Sequence, residues 1–228
     1  DREVYTFDGM QPADVSVGYI CPSANSVTGI SDGLGNALPA GSYSIDDANR
    51  KIILSAGYLS QAGVGDNSFR IVFSDGTEAT FVVHSKAYYT VIWKNFDGTE
   101  LGRTENVAEG RFPVCSVAPT REATVSLTYS FAGWDADGDG VADPVQAASA
   151  DAVYTAVYAE AARQYSVTWR MTSVSGVLES TEQYNYASMP QAPENITAPD
   201  GFRFVGWDSQ LATVTGDVVY TAVYERES

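Results

Sequence analysis

Four aspartates crowd into one short segment, and their spacing is that of a calcium-binding loop. In the segment 135–143, aspartate occupies positions 1, 3, 5 and 9, and glycine occupies position 6. Calcium loops of the EF-hand type place oxygen ligands at these positions and add a backbone carbonyl at position 7. The predicted metal ligands are Asp135, Asp137, Asp139, Val141 and Asp143.

The segment departs from a complete EF-hand in two respects. Position 12 is Gln146 instead of a bidentate glutamate, and no helical pattern flanks the loop. We therefore predict a weak structural calcium site. The alternative is an acidic, glycine-rich surface turn without a metal.

The sequence offers little material for catalysis. His84 is the only histidine, so the chain can build neither a site with several histidine ligands nor a serine–histidine–aspartate arrangement with a histidine to spare. Carboxylate pairs carry no weight, because they are expected in a chain with 29 acidic and 13 basic residues. We predict that the chain is not an enzyme.

Charge and hydropathy exclude further classes of function. A net charge of -16 argues against nucleic-acid binding, because phosphate contacts need clustered lysine and arginine. The apolar runs are only a few residues long, so no membrane insertion is predicted. The two cysteines, Cys21 and Cys115, are predicted to be buried thiols, and a disulfide between them is the alternative. The sequence begins at Asp1 without a methionine, which suggests a piece of a longer or processed protein.

Three sequence blocks recur in the same order along the chain. They are Tyr-x-Val-x-Trp at 89–93 and 165–169, Phe-x-Gly-Trp-Asp at 131–135 and 204–208, and Asp-x-Val-Tyr-Thr-Ala-Val-Tyr at 151–158 and 217–224. Such self-similarity indicates two tandem copies, 87–162 and 163–228. The blocks are rich in β-branched and aromatic residues, which predicts strands. Trp134 and Trp207, at matching positions, are predicted to be equivalent buried core residues.

The aspartate segment lies in an insertion of the first copy. Asp151 follows Trp134 by 17 positions, whereas the matching Asp217 follows Trp207 by only 10. No lysine or arginine occurs between Arg121 and Arg163, so the local sequence supplies no counter-charge. A divalent cation would neutralise the mutual repulsion of the carboxylates.

The ordered blocks resemble the B-repeat of the internalins, also called the Listeria–Bacteroides repeat. An Asp-Gly hairpin at 97–98 and the segment Pro-Thr-Arg-Glu at 119–122 complete the likeness in the first copy. The second copy departs at the hairpin, where Met-Thr-Ser-Val-Ser-Gly at 171–176 replaces Asp-Gly. The resemblance implies β-grasp-like units and a non-catalytic spacer or interaction module of a surface protein.

The first 86 residues form a different module. Short strands are predicted at sandwich-like spacing, at 14–19, 43–46, 51–54, 68–73 and 79–83. The segments Leu-Pro-Ala-Gly-Ser-Tyr at 38–43, Tyr-Leu-Ser at 58–60 and Phe-Ser-Asp-Gly at 73–76 are similar to the immunoglobulin-like X2 modules found beside polysaccharide-degrading domains. The resemblance implies a β-sandwich and a multimodular extracellular parent, not an activity.

These observations predict a mainly β chain with an Ig-like β-sandwich at 1–86 and two small β-grasp-like domains at 87–162 and 163–228. The predicted function is a non-catalytic spacer or interaction segment, with an adhesion or stalk role, in a bacterial cell-surface or secreted protein. Its partner would be a protein or glycan at a cell surface, the segment itself would be a monomer, and its location would be extracellular or in the cell wall. The alternative is a set of carbohydrate-binding accessory modules of a secreted glycan-degrading enzyme.

Overall fold

The computed structural model describes residues 3–21 and 25–227 and confirms the predicted mainly β, multi-domain fold. Strands make up 50% of the chain and helix 2%, and the strands form several separate sheets. The chain falls into two compact units. The first comprises Asp1–Ile92, Arg103–Val114 and Val145–Ala152, and the second Trp93–Gly102, Cys115–Pro144 and Val153–Ser228. This division does not test the domain boundaries at 86 and 162, which stay predictions.

The N-terminal part of the first unit is built from seven strands and one short helix. They are β1 (Val4–Phe7), β2 (Val15–Gly18), β3 (Val27–Asp32), β4 (Tyr43–Asp46), β5 (Lys51–Leu54), α1 (Ala56–Leu59), β6 (Gly65–Phe73) and β7 (Glu78–Ser85). The strands form a four-stranded sheet of order β1-β7-β6-β3 and a three-stranded sheet of order β2-β5-β4. Only β1 and β7 run parallel; the other pairs are antiparallel.

Both sheets contribute to one hydrophobic core. Strand β6 buries Phe69, Ile71 and Phe73 and leaves the residues between them partly exposed, as the two-residue period of a strand requires. Ile52 and Leu54 of the smaller sheet belong to the same cluster and are fully buried. Two sheets that share one core form the sandwich predicted for this part of the chain.

Helix α1 is a single turn between strand β5 of the smaller sheet and strand β6 of the larger sheet. The Ser55 side chain caps it by accepting a hydrogen bond from the Tyr58 N–H, and Leu59 points into the core. Among the described residues, no helix is long and apolar enough to cross a membrane. Cys21 and Cys115 are both free thiols; Cys21 is buried, as predicted, whereas Cys115 is partly exposed.

Eight more strands follow along the chain. They are β8 (Tyr88–Lys94), β9 (Glu100–Ala108), β10 (Leu127–Asp135), β11 (Ala152–Ala162), β12 (Gln164–Ser173), β13 (Gly176–Asn185), β14 (Phe202–Trp207) and β15 (Val218–Arg226). They form two four-stranded sheets, of order β10-β11-β8-β9 and β13-β12-β15-β14. The fourth strand of each copy therefore lies beside the first strand of that copy. The two sequence copies share one sheet topology.

The aromatic contacts repeat as closely as the strands do. The ring centroids of Trp93 and Trp134 lie 4.7 Å apart at an interplanar angle of 57°, and those of Trp169 and Trp207 lie 4.8 Å apart at 55°. Trp93 and Trp169 are almost completely buried, whereas Trp134 and Trp207 are half-buried. The expectation that Trp134 and Trp207 are equivalent holds, but both are partly buried and not fully buried, and Trp207 packs against the core cluster that includes Trp169. The first strand of each copy runs through the middle of its sheet, so its tryptophan is covered on more sides than the one on the edge strand.

Arg163 connects the two sequence copies within the second unit. Its backbone N–H donates to the carbonyl of Ser126 at 2.9 Å, and its guanidinium donates to the carbonyl of Thr124 at 2.9 Å. On the other side its carbonyl accepts from the N–H of Tyr186, and its guanidinium carbon lies 5.1 Å from the ring centroid of Tyr165. The joint between the copies is thus bonded in both directions.

Candidate functional site

The acidic segment forms a closed loop at the end of strand β10. Asp135 is the last residue of that strand and is buried. The N–H of Asp143 donates to the carbonyl of Trp134 at 2.6 Å, and the N–H of Ala136 donates to the Asp143 carboxylate at 2.9 Å. These two bonds close the loop, because they join its first residues to its ninth.

Asp135 organises the loop through its carboxylate. One carboxylate oxygen accepts the N–H groups of Asp137 at 3.1 Å and Gly138 at 2.7 Å, and the other accepts the N–H of Gly140 at 2.9 Å. The N–H groups of Gly138 and Gly140 in particular hold the pKa of Asp135 below its usual range, because they stabilise the charged form. Gly138 and Gly140 have φ of +85° and +82°, a backbone conformation that favours glycine.

The loop brings together three of the four predicted aspartate ligands. Carboxylate oxygens of Asp135, Asp137 and Asp143 lie within 4.8 Å of one another. Among the described residues, Asp139 is not part of this group of carboxylates, and its carboxylate accepts the N–H of Val141 at 2.8 Å. The backbone carbonyl of Val141 as a further ligand stays a prediction. Three converging carboxylates fit a hard divalent cation that prefers oxygen ligands.

The second copy lacks this loop. Asp208 takes the place of Asp135, but its carboxylate accepts the N–H of Thr221 in strand β15 at 3.0 Å. The acidic cluster is therefore a property of the insertion in the first copy, as its sequence indicated.

His84 lies between two carboxylates of the first unit. Its Nδ1 lies 2.7 Å from Asp66 and its Nε2 lies 3.1 Å from Glu109. Hydrogen bonding to Asp66, and next to Glu109, raises the pKa of His84. Both ring nitrogens are engaged, so neither is free to take a proton from a substrate. His84 is a structural residue that links strand β7 to the segment around Glu109.

A neighbouring ion pair holds the residues that follow strand β7, close to the contacts of His84. The Asp8 carboxylate lies 3.2 Å from the Lys86 ammonium and accepts the Tyr88 hydroxyl at 2.5 Å. The N–H of Glu109 donates to the carbonyl of Ala87 at 2.9 Å. The residues that follow strand β7 are thus held by side chains as well as by backbone bonds.

A shallow groove on the N-terminal module was not predicted as a site. The turn 39–42, Ser55, Gly57, Tyr58 and Gln61 line it, and its volume is about 340 Å³. The sequence contained one signal, because Tyr58 belongs to a segment that carries the X2 resemblance. Pattern alone could not reveal that a turn and a helix 15 residues later enclose a concave surface.

Comparison with known families covers only the N-terminal part of the chain. Residues 1–83 match the family described as Carbohydrate binding domain X2. This confirms the X2-like module, although it covers 83 of the 228 residues. The family is one of binding, not of catalysis, which agrees with the prediction of a non-enzymatic chain. The internalin-type resemblance of residues 87–228 stays a prediction.

One solved structure reported as similar is a tri-modular GH5 (subfamily 4) endo-beta-1,4-glucanase from Bacillus licheniformis in complex with cellotetraose. It has 17% sequence identity and a TM-score of 0.31 and covers 41% of this chain. The matched part spans only 19% of the length of that protein. A similarity this low carries no argument about function. No curated protein matches the chain.

Proposed function

We propose that this chain is a non-catalytic accessory region of a secreted, multimodular glycan-degrading protein and that its N-terminal module binds polysaccharide. The match of residues 1–83 to a carbohydrate-binding family carries this proposal. The strongly acidic surface, with 29 acidic and 13 basic residues, suits a neutral glycan better than an anionic one. The proposed location is extracellular.

The test is binding of the whole 228-residue chain to insoluble polysaccharides. The chain is mixed with cellulose, xylan and mannan, and the protein left in the supernatant is measured over a range of concentrations. An unrelated protein of similar net charge serves as the control for adsorption. We expect saturable binding to at least one polysaccharide, and depletion equal to that of the control on all three would contradict the proposal.

The tandem copies support a second function, that of a spacer in a bacterial surface or secreted protein. The two copies repeat the same sheet order, and Arg163 bonds to residues of both of them. An adhesion role would be favoured over the glycan proposal if the chain bound intact cells while failing to bind the isolated polysaccharides. A spacer alone would bind neither.

Calcium in the first copy completes the proposal. Asp135, Asp137 and Asp143 would supply carboxylate oxygens, and Asp139 and Val141 are the further predicted ligands. The ion would neutralise the crowded charges and stiffen the loop. Without a glutamate at position 12, we expect a dissociation constant on the order of 10⁻⁴–10⁻³ M, as in extracellular modules.

A further inference from the structure

The groove on the N-terminal module contains a serine hydroxyl that has no hydrogen-bond partner among the described residues. Ser42 is 5% exposed. Its backbone is satisfied, because its N–H donates to the carbonyl of Pro39 at 3.1 Å and its carbonyl accepts from the N–H of Ser55 at 2.8 Å. Its side-chain hydroxyl makes no hydrogen bond to any of the described residues, although it lines the groove. Among the described residues, the fully enclosed side-chain polar atom without a partner is Trp169 Nε1, so the Ser42 hydroxyl is not fully enclosed and a ligand in the groove can reach it.

Tyr58 supplies the second free hydroxyl in the groove. Within the part of the chain that the structure describes, the phenol oxygen of Tyr58 has no hydrogen-bond partner, whereas Tyr5 donates to Glu3 and Tyr19 donates to Asp47. The Tyr58 ring is held in place by Phe69, whose centroid lies 6.3 Å away in an edge-to-face contact. Its position combines a fixed apolar ring with an unused donor.

The remaining lining residues define the chemistry of a ligand. No charged side chain lines the groove, which is formed by small residues, the Tyr58 ring and the amide of Gln61. The Gln61 amide nitrogen donates to the carbonyl of Gly57 at 3.2 Å, so the amide oxygen remains an acceptor. A pyranose ring has apolar C–H faces and a rim of hydroxyls, and it complements this combination. The volume of the groove, about 340 Å³, lies near the lower end of the range for small-molecule sites, roughly 300–1,000 Å³.

We propose that this groove is the glycan-binding subsite of the N-terminal module and that it holds a neutral polysaccharide chain. The Tyr58 ring stacks on one sugar ring, and the hydroxyls of Ser42 and Tyr58 bond to sugar hydroxyls. The proposal rests on the proposed function and assigns it to one surface. Anionic glycans are excluded because the groove offers no cation to pair with a carboxylate or sulfate.

Two glycines allow the groove to be blocked with a matched control. Neither Gly57, which lines the groove, nor Gly63, which does not, has any atom within 4 Å of a Cβ built on it, and neither has a positive φ. Gly57→Arg places a long side chain in the groove, and Gly63→Arg makes the same charge change elsewhere on the module. Both variants should melt within a few degrees of the wild type, because neither introduces a steric clash.

Binding isotherms on the polysaccharide that the wild type binds best test the proposal. We expect Gly57→Arg to weaken binding at least about tenfold and Gly63→Arg to leave it within about twofold. The double variant Ser42→Ala/Tyr58→Phe, which removes only the two hydroxyls, should also lose about tenfold in affinity. The anionic polymer polygalacturonate should not bind to the wild type.

The outcomes distinguish failure of the subsite assignment from failure of the proposed function. If the wild type binds a polysaccharide and Gly57→Arg and the double variant bind equally well, the subsite lies elsewhere and the proposed function stands. If the wild type binds none, both proposals are overturned. Binding of polygalacturonate as strong as that of the neutral polymers would overturn the assignment to a neutral glycan.

Discussion

Gly133 and Ala142 approach each other so closely that a Cβ atom built on Gly133 would lie 2.6 Å from the Cβ of Ala142. This contact packs the acidic insertion against the bulge of strand β10. In the second copy Gly206 has nearly the same backbone, with φ of +155° against +153°, yet its Cβ would meet nothing within 4 Å. Backbone conformation favours glycine at both positions, and only Gly133 also has the insertion lying over it.

This pair makes the packing of the insertion measurable. Gly133→Ala and Gly206→Ala should both destabilise the chain, by about 1–3 kcal/mol for the disfavoured backbone. Gly133→Ala should lose about 1–3 kcal/mol more, because its new methyl group collides with Ala142. The free energy of unfolding from urea denaturation gives the difference. Equal losses in the two variants would show that the insertion moves away without cost.

Calcium should raise the melting temperature of the wild type. At 10 mM calcium, a dissociation constant on the order of 10⁻⁴–10⁻³ M corresponds to a stabilisation of about 1.4–2.7 kcal/mol. Asp137→Asn should abolish the shift between calcium and chelator, because Asp137 is one of the three converging carboxylates. Asp208→Asn is the matched control in the second copy and should retain the shift. A shift that survives Asp137→Asn would argue against the loop as its origin.

His84 should make stability depend on pH. The pKa of His84 is raised above its ordinary value of 6.5, chiefly because Asp66 and then Glu109 bond to the protonated ring. A group with a raised pKa in the folded state stabilises fully below its unfolded pKa, about 6.5, and loses that contribution as the pH rises through the folded value. The difference in melting temperature between wild type and His84→Gln should therefore shrink from pH 5.5 to pH 8.5.

A histidine titration followed by NMR provides the direct check. Glu109→Gln keeps the shape of the side chain but removes its charge, so it should lower the pKa of His84 relative to the wild type. An unchanged titration in Glu109→Gln would mean that the His84–Glu109 contact does not form in solution.

The buried tryptophans should be energetically equivalent. Trp93→Ala and Trp169→Ala should each cost about 3–5 kcal/mol in unfolding free energy, as expected for a buried aromatic residue. Trp134→Ala and Trp207→Ala should cost less, because both side chains remain half-exposed. Urea denaturation of the four variants checks the order. A larger loss at Trp134 than at Trp93 would contradict the burial seen here.

The repeats show how far sequence reasoning reaches. The recurring blocks predicted two copies of strands, and the strands Tyr88–Lys94 and Gln164–Ser173 occur where the first block places them. Alternation also put Val91 and Trp93 on one face, and both are buried. Alternation does not reveal which strand lies in the middle of a sheet. For that reason the sequence predicts Trp134 to be buried, whereas it lies partly exposed on the edge strand β10.

The candidate sites illustrate the same limit. Spacing identified the aspartate loop, because its contacts join residues close in sequence. Spacing could not predict that Asp139 turns its carboxylate to the N–H of Val141, since this depends on the path of the loop in space. The contact of His84 with Glu109 joins residues 25 positions apart, and no local pattern encodes it.

Arg163 has a consequence for any attempt to cut, duplicate or delete a copy. By sequence it is the first residue of the second copy, yet its N–H and guanidinium satisfy the carbonyls of Ser126 and Thr124 in the first. A first copy ended at Ala162 would leave both carbonyls without these donors. Cutting before Arg163 removes these bonds from the first copy, and cutting after it removes the bond to Tyr186 and the contact with Tyr165 from the second.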